Sequence, residues 1–377
     1  AVVELCKAEG VDGLFTGYTD SLLPFAEQIC RKLNFPFWGD SQNIEMCINK
    51  QMFKDACEKS NVPVVPWKRV NGDNYKETIK SIELPVVFKP VDNSGSRGVF
   101  KCYKKEDLLP LCEQSLSYSK SKELLVERLM DAHNEFSAYY IMNQGDYYFT
   151  GMGDRYIFEL APDIAPVGHG MLFPSIYTSQ WIKEMDAVIK QFFAENRMKD
   201  GFVFVQGFYE DGHFFIHEIG YRLNGGFSFK LVEHLCNYNQ IHQLVKYSLT
   251  GNMDKEEIAK SDPYLNGKIG MILTATLGKG TIKKIGGVEK AASLPGVIQF
   301  YQLKEVGTTL TSNGTTAQVF AYILITADTA EDLKKLIIDI EGLITVEDES
   351  GNNLLLPMIN PEELRFIENK KNERFKN

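Results

Sequence analysis

A lysine that ends a short apolar run and a following loop rich in glycine and serine form a combination that suits a polyphosphate. The run Pro85–Val91 carries Lys89, and the loop Asp92–Gly98 follows it before the chain becomes apolar again at Val99. Glycines let backbone amides approach phosphate oxygens, serine hydroxyls add donors, and Lys89 and Arg97 balance the charge. By itself, Lys89 is also compatible with a solvent-facing edge strand, but the adjoining loop favours phosphate binding.

A second group of polar residues lies on two apolar segments joined by a tight Glu-Asp-Gly turn. If Gly201–Tyr209 and His213–Arg222 pair as a hairpin, Gln206 and Glu218 face each other across it. Alternation places Glu218 and Arg222 on one face, where oxygen ligands can hold Mg²⁺ and the arginine can meet an anion. The alternative is a polar sheet face with a Glu–Arg pair. With the phosphate loop, this spacing indicates phosphorylation of a carboxylate by ATP.

The same alternation bears on the two histidines of the second segment. His213 and His217 are predicted to lie on the face opposite Glu218. A helix would be needed to bring residues i and i+4 together on one zinc ion. The His-x-x-x-His spacing is therefore interpreted as accidental.

Composition excludes several other classes of function. The net charge of −9 disfavours a nucleic-acid binder, and no apolar run approaches the length of a membrane span. The seven cysteines are scattered without a C-x-x-C pair, which favours reduced thiols in a cytoplasmic protein. The chain starts without a signal-peptide pattern and opens in mid-helix style, so we expect it either to begin inside a domain or to be numbered from a trimmed start.

The length of 377 residues predicts two to three domains, and the pattern of helices and strands along the chain predicts an α/β (α+β) fold. A short buried strand is expected at Gly13–Thr16, and the charged residues after Pro361 are expected to form a frayed, solvated helix. The other main predictions are helices over 43–60, 179–197, 231–249 and 330–344, and a hairpin of Glu135–Asn143 with Tyr147–Met152 that turns at 144–146.

These motifs resemble, in order and spacing, those of the ATP-grasp superfamily, in particular its L-amino-acid-ligase and carbamoyl-phosphate-synthase-like carboxylate–amine ligases. The resemblance runs from about residue 10 to about residue 355. It implies a nucleotide site of Lys50, Lys89, Ser94, Gly95, Ser96, Arg97 and Gly98 for the phosphates, Glu127, Arg128, Leu129 and Met130 for the adenine, Glu135 for the ribose, Gln206 and Glu218 for the metal, and Arg222 with Lys89 for catalysis.

The resemblance also implies an organisation and a reaction. The expected units are a partial pre-ATP-grasp α/β domain (1–45), an ATP-grasp domain (46–260) with a mobile lid (about 62–126), a β-rich C-terminal domain (261–360) and a charged tail (361–377). ATP with Mg²⁺ or Mn²⁺ would convert a small-molecule carboxylate to an acyl phosphate, from which an amine displaces phosphate. The implied partners are these two substrates and a second copy in a homodimer, with neither nucleic acid nor membrane.

One departure from the family pattern keeps an alternative open. Gly220 stands where the family usually has a metal-binding asparagine, so a catalytically weakened ATP-binding regulatory module is the second hypothesis. A carboxylase-like enzyme that uses bicarbonate is the third, although the Gln-Val-Glu-His run expected of biotin-dependent members is absent. The segment Leu223–Ser228 resembles amino-acid-ligase members, and specificity is expected to come from Glu159–Ser175 and Asn224–Phe229.

Overall fold

Helices and strands alternate along the chain, and the computed structural model describes them in residues 1–93, 97–158, 167–311 and 316–367. In these ranges the α-helices are Val2–Ala8 (α1), Leu23–Leu33 (α2), Ser41–Ile48 (α3), Lys50–Lys59 (α4), Tyr75–Thr78 (α5), Leu108–Tyr118 (α6), Thr178–Glu184 (α7), Asp186–Glu195 (α8), Ser228–Cys236 (α9), Gln240–Thr250 (α10), Lys255–Ile258 (α11), Val288–Ala292 (α12) and Ala330–Leu343 (α13). The strands are Trp67–Asn71 (β1), Val86–Pro90 (β2), Phe100–Cys102 (β3), Glu123–Arg128 (β4), Glu135–Asn143 (β5), Asp146–Phe158 (β6), Val167–Phe173 (β7), Gly201–Glu210 (β8), His213–Gly220 (β9), Ile269–Thr276 (β10), Gly280–Thr281 (β11), Lys284–Gly286 (β12), Val297–Gln302 (β13), Thr309–Leu310 (β14), Val319–Ala327 (β15) and Thr345–Glu347 (β16).

The largest sheet is antiparallel and carries one wall of the site described below. Its strand order is β13-β15-β10-β7-β6-β5-β8-β9. The predicted β5–β6 hairpin is confirmed, with Gln144 and Gly145 both at positive φ in the turn. Of the C-terminal strands, β10, β13 and β15 extend this sheet, whereas β11 pairs with β14 and β12 pairs with β16 in two separate two-stranded sheets.

A smaller antiparallel sheet, which we call the lid, has the order β1-β4-β2-β3 and packs against α6. Its core includes Val70, Phe88, Cys112 and Leu124, and it forms a cluster separate from the core of the large sheet. Gly98, just before β3, has a φ of +78°, and a Cβ there would lie 2.5 Å from that of Tyr118. Position 98 therefore requires glycine. Movement of the lid stays a prediction.

Three predicted helices are each divided in two. The segment 43–60 breaks at Asn49, whose side chain accepts the amides of Gln51 and Met52 and so caps α4. The segment 231–249 breaks near Asn239, which caps α10 in the same way. The segment 179–197 breaks at Met185, between α7 and α8. Asparagine both ends helices and caps them, which hydrophobic periodicity alone does not detect.

Two terminal predictions are wrong. Gly13–Thr16 forms no strand, and within the described ranges no other strand pairs with it. In the described part of the tail, residues 361–367, the chain makes only a short 3-10 turn, and Leu364 is buried while Arg365 donates to the carbonyl of His133. These contacts hold the segment against the body instead of leaving it solvated. Residues 368–377 lie outside the described residues.

Two negative observations concern the described residues only. All seven cysteines are buried and unpaired, as the scattered spacing predicts. In the same ranges, none of the helices has both the length and the apolar character needed to cross a bilayer.

A buried carboxyl group in β6 should make stability depend on pH. Asp154 is fully buried, where its carboxylate accepts hydrogen bonds from the Ser175 hydroxyl at 2.5 Å and the Ile176 amide at 3.1 Å. Burial raises the pKa of Asp154 to about 6, even though both hydrogen bonds oppose the shift. Since the folded state holds this proton more tightly than the unfolded chain, its contribution to stability is complete below about pH 4 and disappears as pH rises through 6.

We expect Asp154→Asn to be stabilising relative to the native chain at pH 7.5 but not at pH 4. The raised pKa of Asp154 corresponds to a change in the free energy of unfolding on the order of 3 kcal/mol between pH 4 and pH 7.5. Urea unfolding of both proteins across this range measures it. Asp146→Asn is the matched control, because Asp146 lies on the same strand but is exposed. A difference between native and variant that stays constant with pH would contradict the assignment.

Candidate functional site

A buried ion triad lies at the hinge between the lid and the large sheet, which we define as residues 124–130. Glu127, near the end of β4, is 1% exposed and its carboxylate contacts the Lys54 ammonium at 2.8 Å and the Lys89 ammonium at 2.6 Å. Burial alone would raise the pKa of Glu127, but the two lysines outweigh it and hold the pKa well below its usual range. Glu127 is thus a permanent anion that directs Lys89 into the hinge.

Lys54 is the member of this triad that sequence reasoning missed. Its side chain is fully buried, and its ammonium also donates to the carbonyls of Val65 and Ile216, at 3.3 Å each. Loss of water lowers the pKa of Lys54, while Glu127 opposes that shift and three acceptors retain the charged form. The available signal was its position four residues after Lys50, on the apolar face of α4 that includes Phe53 and Cys57.

The lysines predicted to bind phosphate both border the same cleft. Burial alone would lower the pKa of Lys89, but Glu127 and Glu218 raise it above the usual value. Lys50, the first residue of α4, donates to the carbonyl of Asn93 at 2.5 Å, so it already touches the phosphate loop. The predicted loop residues Ser94, Gly95 and Ser96 lie outside the described residues.

The β8–β9 hairpin forms the opposite wall. Gln206 pairs with Glu218, as the sequence predicts, but Gly207 pairs with Ile216. His217 is therefore an extra residue on β9, which defines a β-bulge. A bulge interrupts strict alternation, so the prediction that His217 lies on the face opposite Glu218 is wrong: both residues line the cleft.

The predicted ribose residue, Glu135, begins β5 and is 4% exposed. Arg155 donates to its Oε1, and Nε2 of His217 lies 3.4 Å from the same oxygen. Burial would raise the pKa of Glu135, but Arg155 and then His217 lower it. Arg155, which the sequence analysis also missed, is thus part of the cleft.

Two backbone amides of the hinge already donate hydrogen bonds to carbonyl groups of this chain. The amide of Arg128 donates to the Pro66 carbonyl at 2.9 Å, and that of Leu129 donates to the Pro85 carbonyl at 3.0 Å. Any contact of these two residues with an adenine base must therefore use other atoms. The Arg128 side chain pairs with Glu210 at 2.6 Å.

A cavity of about 290 Å³ brings most of the predicted residues together. Its described lining includes Lys50, Lys89, Arg97, Glu127, Arg128, Leu129, Met130, Glu135, Arg155, Gln206, His217 and Glu218. The carboxylate of Glu218 and the amide oxygen of Gln206 are hard oxygen donors that fit Mg²⁺. Among the described residues, no group of three His, Cys, Asp or Glu could hold a metal ion without further ligands. Waters or phosphate oxygens would complete the coordination of an ion held by these two side chains.

Arg222 does not share this cavity lining. Strand β9 ends at Gly220, and the guanidinium beyond it binds both carboxylate oxygens of Asp20, at 2.7 and 2.5 Å. It also donates to the Leu223 carbonyl and lies over the Phe204 ring, 5.1 Å from its centroid. Because the strand ends before Arg222, regular alternation does not extend to it, and the expectation that Glu218 and Arg222 share one face stays a prediction.

Gly220 is required by a neighbouring aromatic ring. A Cβ at this position would lie 2.1 Å from Cζ of Phe204, which pairs with Gly220 across the hairpin. A side chain at position 220 would therefore require the Phe204 ring to move, and the same ring supports Arg222. The space of the usual asparagine is filled, so a metal ligand cannot come from this position.

The two regions expected to set specificity are only partly described. Residues 159–166 of Glu159–Ser175 lie outside the described ranges, and Val167–Phe173 forms β7 instead of a loop. In the other region, the Asn224 amide donates to the Tyr139 hydroxyl at 3.3 Å, and Phe227 stacks on Tyr301 at 4.3 Å between ring centroids.

Comparison with known proteins identifies the class to which this fold and cleft correspond. Residues 49–146 match the family model "Carbamoyl-phosphate synthase L chain, ATP binding domain", and residues 273–349 match "L-amino acid ligase C-terminal domain 2". The crystal structure of an L-amino acid ligase from Bacillus licheniformis is similar, with a TM-score of 0.76 and 17% identity over 92% of this chain and 84% of that one. The chain therefore has the ATP-grasp fold, and its resemblance to the ATP-grasp carboxylate–amine ligases is confirmed.

Within this class, the L-amino acid ligases supply both a family-model match and a structural match. A biotin carboxylase domain dimer of Hydrogenobacter thermophilus, in complex with MgADP and bicarbonate, is also similar (TM-score 0.71, 15% identity, 92% of this chain and 77% of that one).

Curated relatives also match this chain in sequence. The uncharacterized protein y4rH of Sinorhizobium fredii is 24% identical over 83% of this chain and 63% of its own length. A D-alanine–D-alanine ligase of Buchnera aphidicola is 26% identical over 28% of this chain and 36% of its own length. The chain thus spans less than two thirds of the length of these relatives.

Proposed function

We propose that this protein is an ADP-forming ligase that activates a small-molecule carboxylate with ATP and joins it to an amine. The observation that carries the proposal is the convergence of Lys50, Lys89, Glu135, Gln206 and Glu218 on one cleft between the lid and the large sheet. The similar L-amino acid ligase and D-alanine–D-alanine ligase support the reaction class by their names.

In this proposal the cations of the cleft bind and orient the triphosphate. Lys50 and Lys89 approach it from α4 and β2, and the described loop residues Asn93 and Arg97 line the same cleft. Glu218 and Gln206 would hold Mg²⁺, which neutralises phosphate charge when bound. Placing the γ-phosphate near the substrate carboxylate makes a bimolecular reaction effectively unimolecular.

The carboxylate oxygen attacks the γ-phosphorus, and the bond to the β-phosphate oxygen breaks, so ADP leaves and an acyl phosphate remains. The amine then attacks the acyl carbon and phosphate departs with the former bonding electrons, while the amine loses a proton. Closure of the lid would exclude water, which otherwise hydrolyses the acyl phosphate. We propose that Arg222 stabilises the developing charge through the donors that Asp20 does not use.

An ADP-release assay with pooled carboxylates and amines tests the proposal. We expect turnover to fall about 100-fold or more in Lys89→Ala and Glu218→Ala, because each removes a charge or ligand at the phosphates. Lys68→Ala is the matched control, since Lys68 lies on the lid strand β1 but is exposed and contacts Ser81. Equal background ADP release in the native protein and all variants would contradict a ligase.

The second candidate is an ATP-binding module without efficient catalysis. The filled space at Gly220 and the pairing of Arg222 with Asp20 favour it, because both reduce the groups offered to a reacting phosphate. Calorimetry separates the two candidates. Nucleotide binding without any product supports the module, whereas Mg²⁺-dependent product formation supports the ligase.

A further inference from the structure

We infer that His217 is a positioning residue that, with Arg155, fixes the Glu135 carboxylate for hydrogen bonding to the sugar hydroxyls of the nucleotide. The site then distinguishes ribonucleotides from deoxyribonucleotides. This inference rests on the proposed function, because it requires a nucleotide in the cleft. It concerns the sugar edge of that nucleotide and is independent of catalysis.

The backbone supplies the first step of the argument. The β-bulge in β9 inserts His217 between Ile216 and Glu218, the residues that pair with Gly207 and Gln206. Bulges re-aim a side chain at the expense of one regular pair in the ladder. Here the re-aimed side chain is an imidazole that enters the cleft containing the hinge.

The imidazole is held in place on two sides. Its ring lies against Phe208, with 5.0 Å between centroids and an angle of 31° between planes, and its side chain is only 10% exposed. Nε2 points at Oε1 of Glu135, 3.4 Å away. Packing against Phe208 therefore limits the ring to orientations that keep this contact.

The contacts of Glu135 are asymmetric. In the part of the chain that the structure describes, the hydrogen bonds from Arg155 and His217 both end on Oε1. A carboxylate only accepts hydrogen bonds, and the two hydroxyls of a ribose are donors that need two acceptor positions side by side. Two hydrogen bonds to Oε1 hold the Glu135 carboxylate in one orientation. Oε2 therefore points in a fixed direction, and Oε2 together with the remaining accepting capacity of Oε1 can accept hydrogen bonds from the ribose.

Calorimetric titration with ADP and with 2′-deoxyADP tests the inference without any turnover. The native protein should prefer ADP, and His217→Phe, which retains an aromatic ring beside Phe208, should reduce the ADP to 2′-deoxyADP affinity ratio about fivefold, the value of one hydrogen bond. His217→Gln, which restores a donor, should recover most of the ratio. His213→Phe is the matched control, because His213 begins the same strand but is exposed.

Thermal unfolding of each variant separates loss of folding from loss of selectivity, and His217→Gln provides a second variant if His217→Phe is unstable. An unchanged ratio in folded His217→Phe, or equal affinities of the native protein for the two nucleotides, would overturn the inference while leaving nucleotide binding intact. Absence of binding of either nucleotide to the native protein would instead defeat the proposed function itself.

Discussion

Replacing Glu127 with glutamine should cost about 3–5 kcal/mol of folding free energy, because the buried ammonium of Lys54 and that of Lys89 lose their shared counter-charge. The substitution preserves shape, so the loss reports charge and not packing. Chemical denaturation at pH 7 measures the stability, and calorimetry with ADP should show at least a tenfold weaker affinity, because Lys89 loses the partner that directs it into the cleft.

Glu123→Gln is the matched control for this variant. Glu123 lies on the same strand, but its partner Arg69 is 46% exposed, so its removal should cost less than about 1 kcal/mol. A double variant, Glu127→Leu with Lys54→Met, should recover much of the stability without recovering ADP affinity. Equal losses of unfolding free energy in Glu127→Gln and Glu123→Gln would show that the buried triad stabilises the fold no more than an exposed ion pair does.

The second large effect is expected at the pair of Arg222 and Asp20. Arg222→Ala should lower turnover about 100- to 1000-fold, the usual effect of losing one well-placed donor at a developing negative charge. Asp20→Asn should lower it less, because the Phe204 ring and the Leu223 carbonyl still hold the guanidinium. If Asp20 acts by orienting Arg222, the double variant should be no slower than Arg222→Ala alone.

Steady-state kinetics of the four proteins in this cycle provide the measurement, and kcat should fall more than KM rises for Asp20→Asn. Asp12→Asn serves as the control, since Asp12 is an exposed acid in the same N-terminal segment. Multiplicative losses in the double variant would mean that Asp20 does not act through Arg222.

Local sequence patterns predicted much of the site, because these parts of it depend on residues that are close together in the sequence. Within the run Pro85–Val91, strand β2 (Val86–Pro90) carries Lys89 at the cleft, and the Glu-Asp-Gly turn joins β8 to β9 as a hairpin. Both features depend on residues within about a dozen positions of each other, where alternation and turn chemistry are informative.

The missed features depend on distant contacts or on irregular backbone. Asp20 meets Arg222 across 202 residues of sequence, and no periodicity links them. The bulge at His217 has no residue signature, yet it inverts the face assigned by alternation. Lys54 was missed because its position on the apolar face of α4 predicts apolar neighbours. Its partner, Glu127, lies on strand β4 of the lid, far away in sequence.

The contact between Phe204 and Gly220 also constrains how this protein can change over evolutionary time. Any mutation that adds a side chain at position 220 meets the ring at 2.1 Å, so it is unfavourable until position 204 has first acquired a smaller residue. That earlier mutation removes the support beneath Arg222. The two positions are therefore expected to be epistatic, because a smaller residue at position 204 both admits a side chain at position 220 and removes the ring beneath the Arg222 guanidinium.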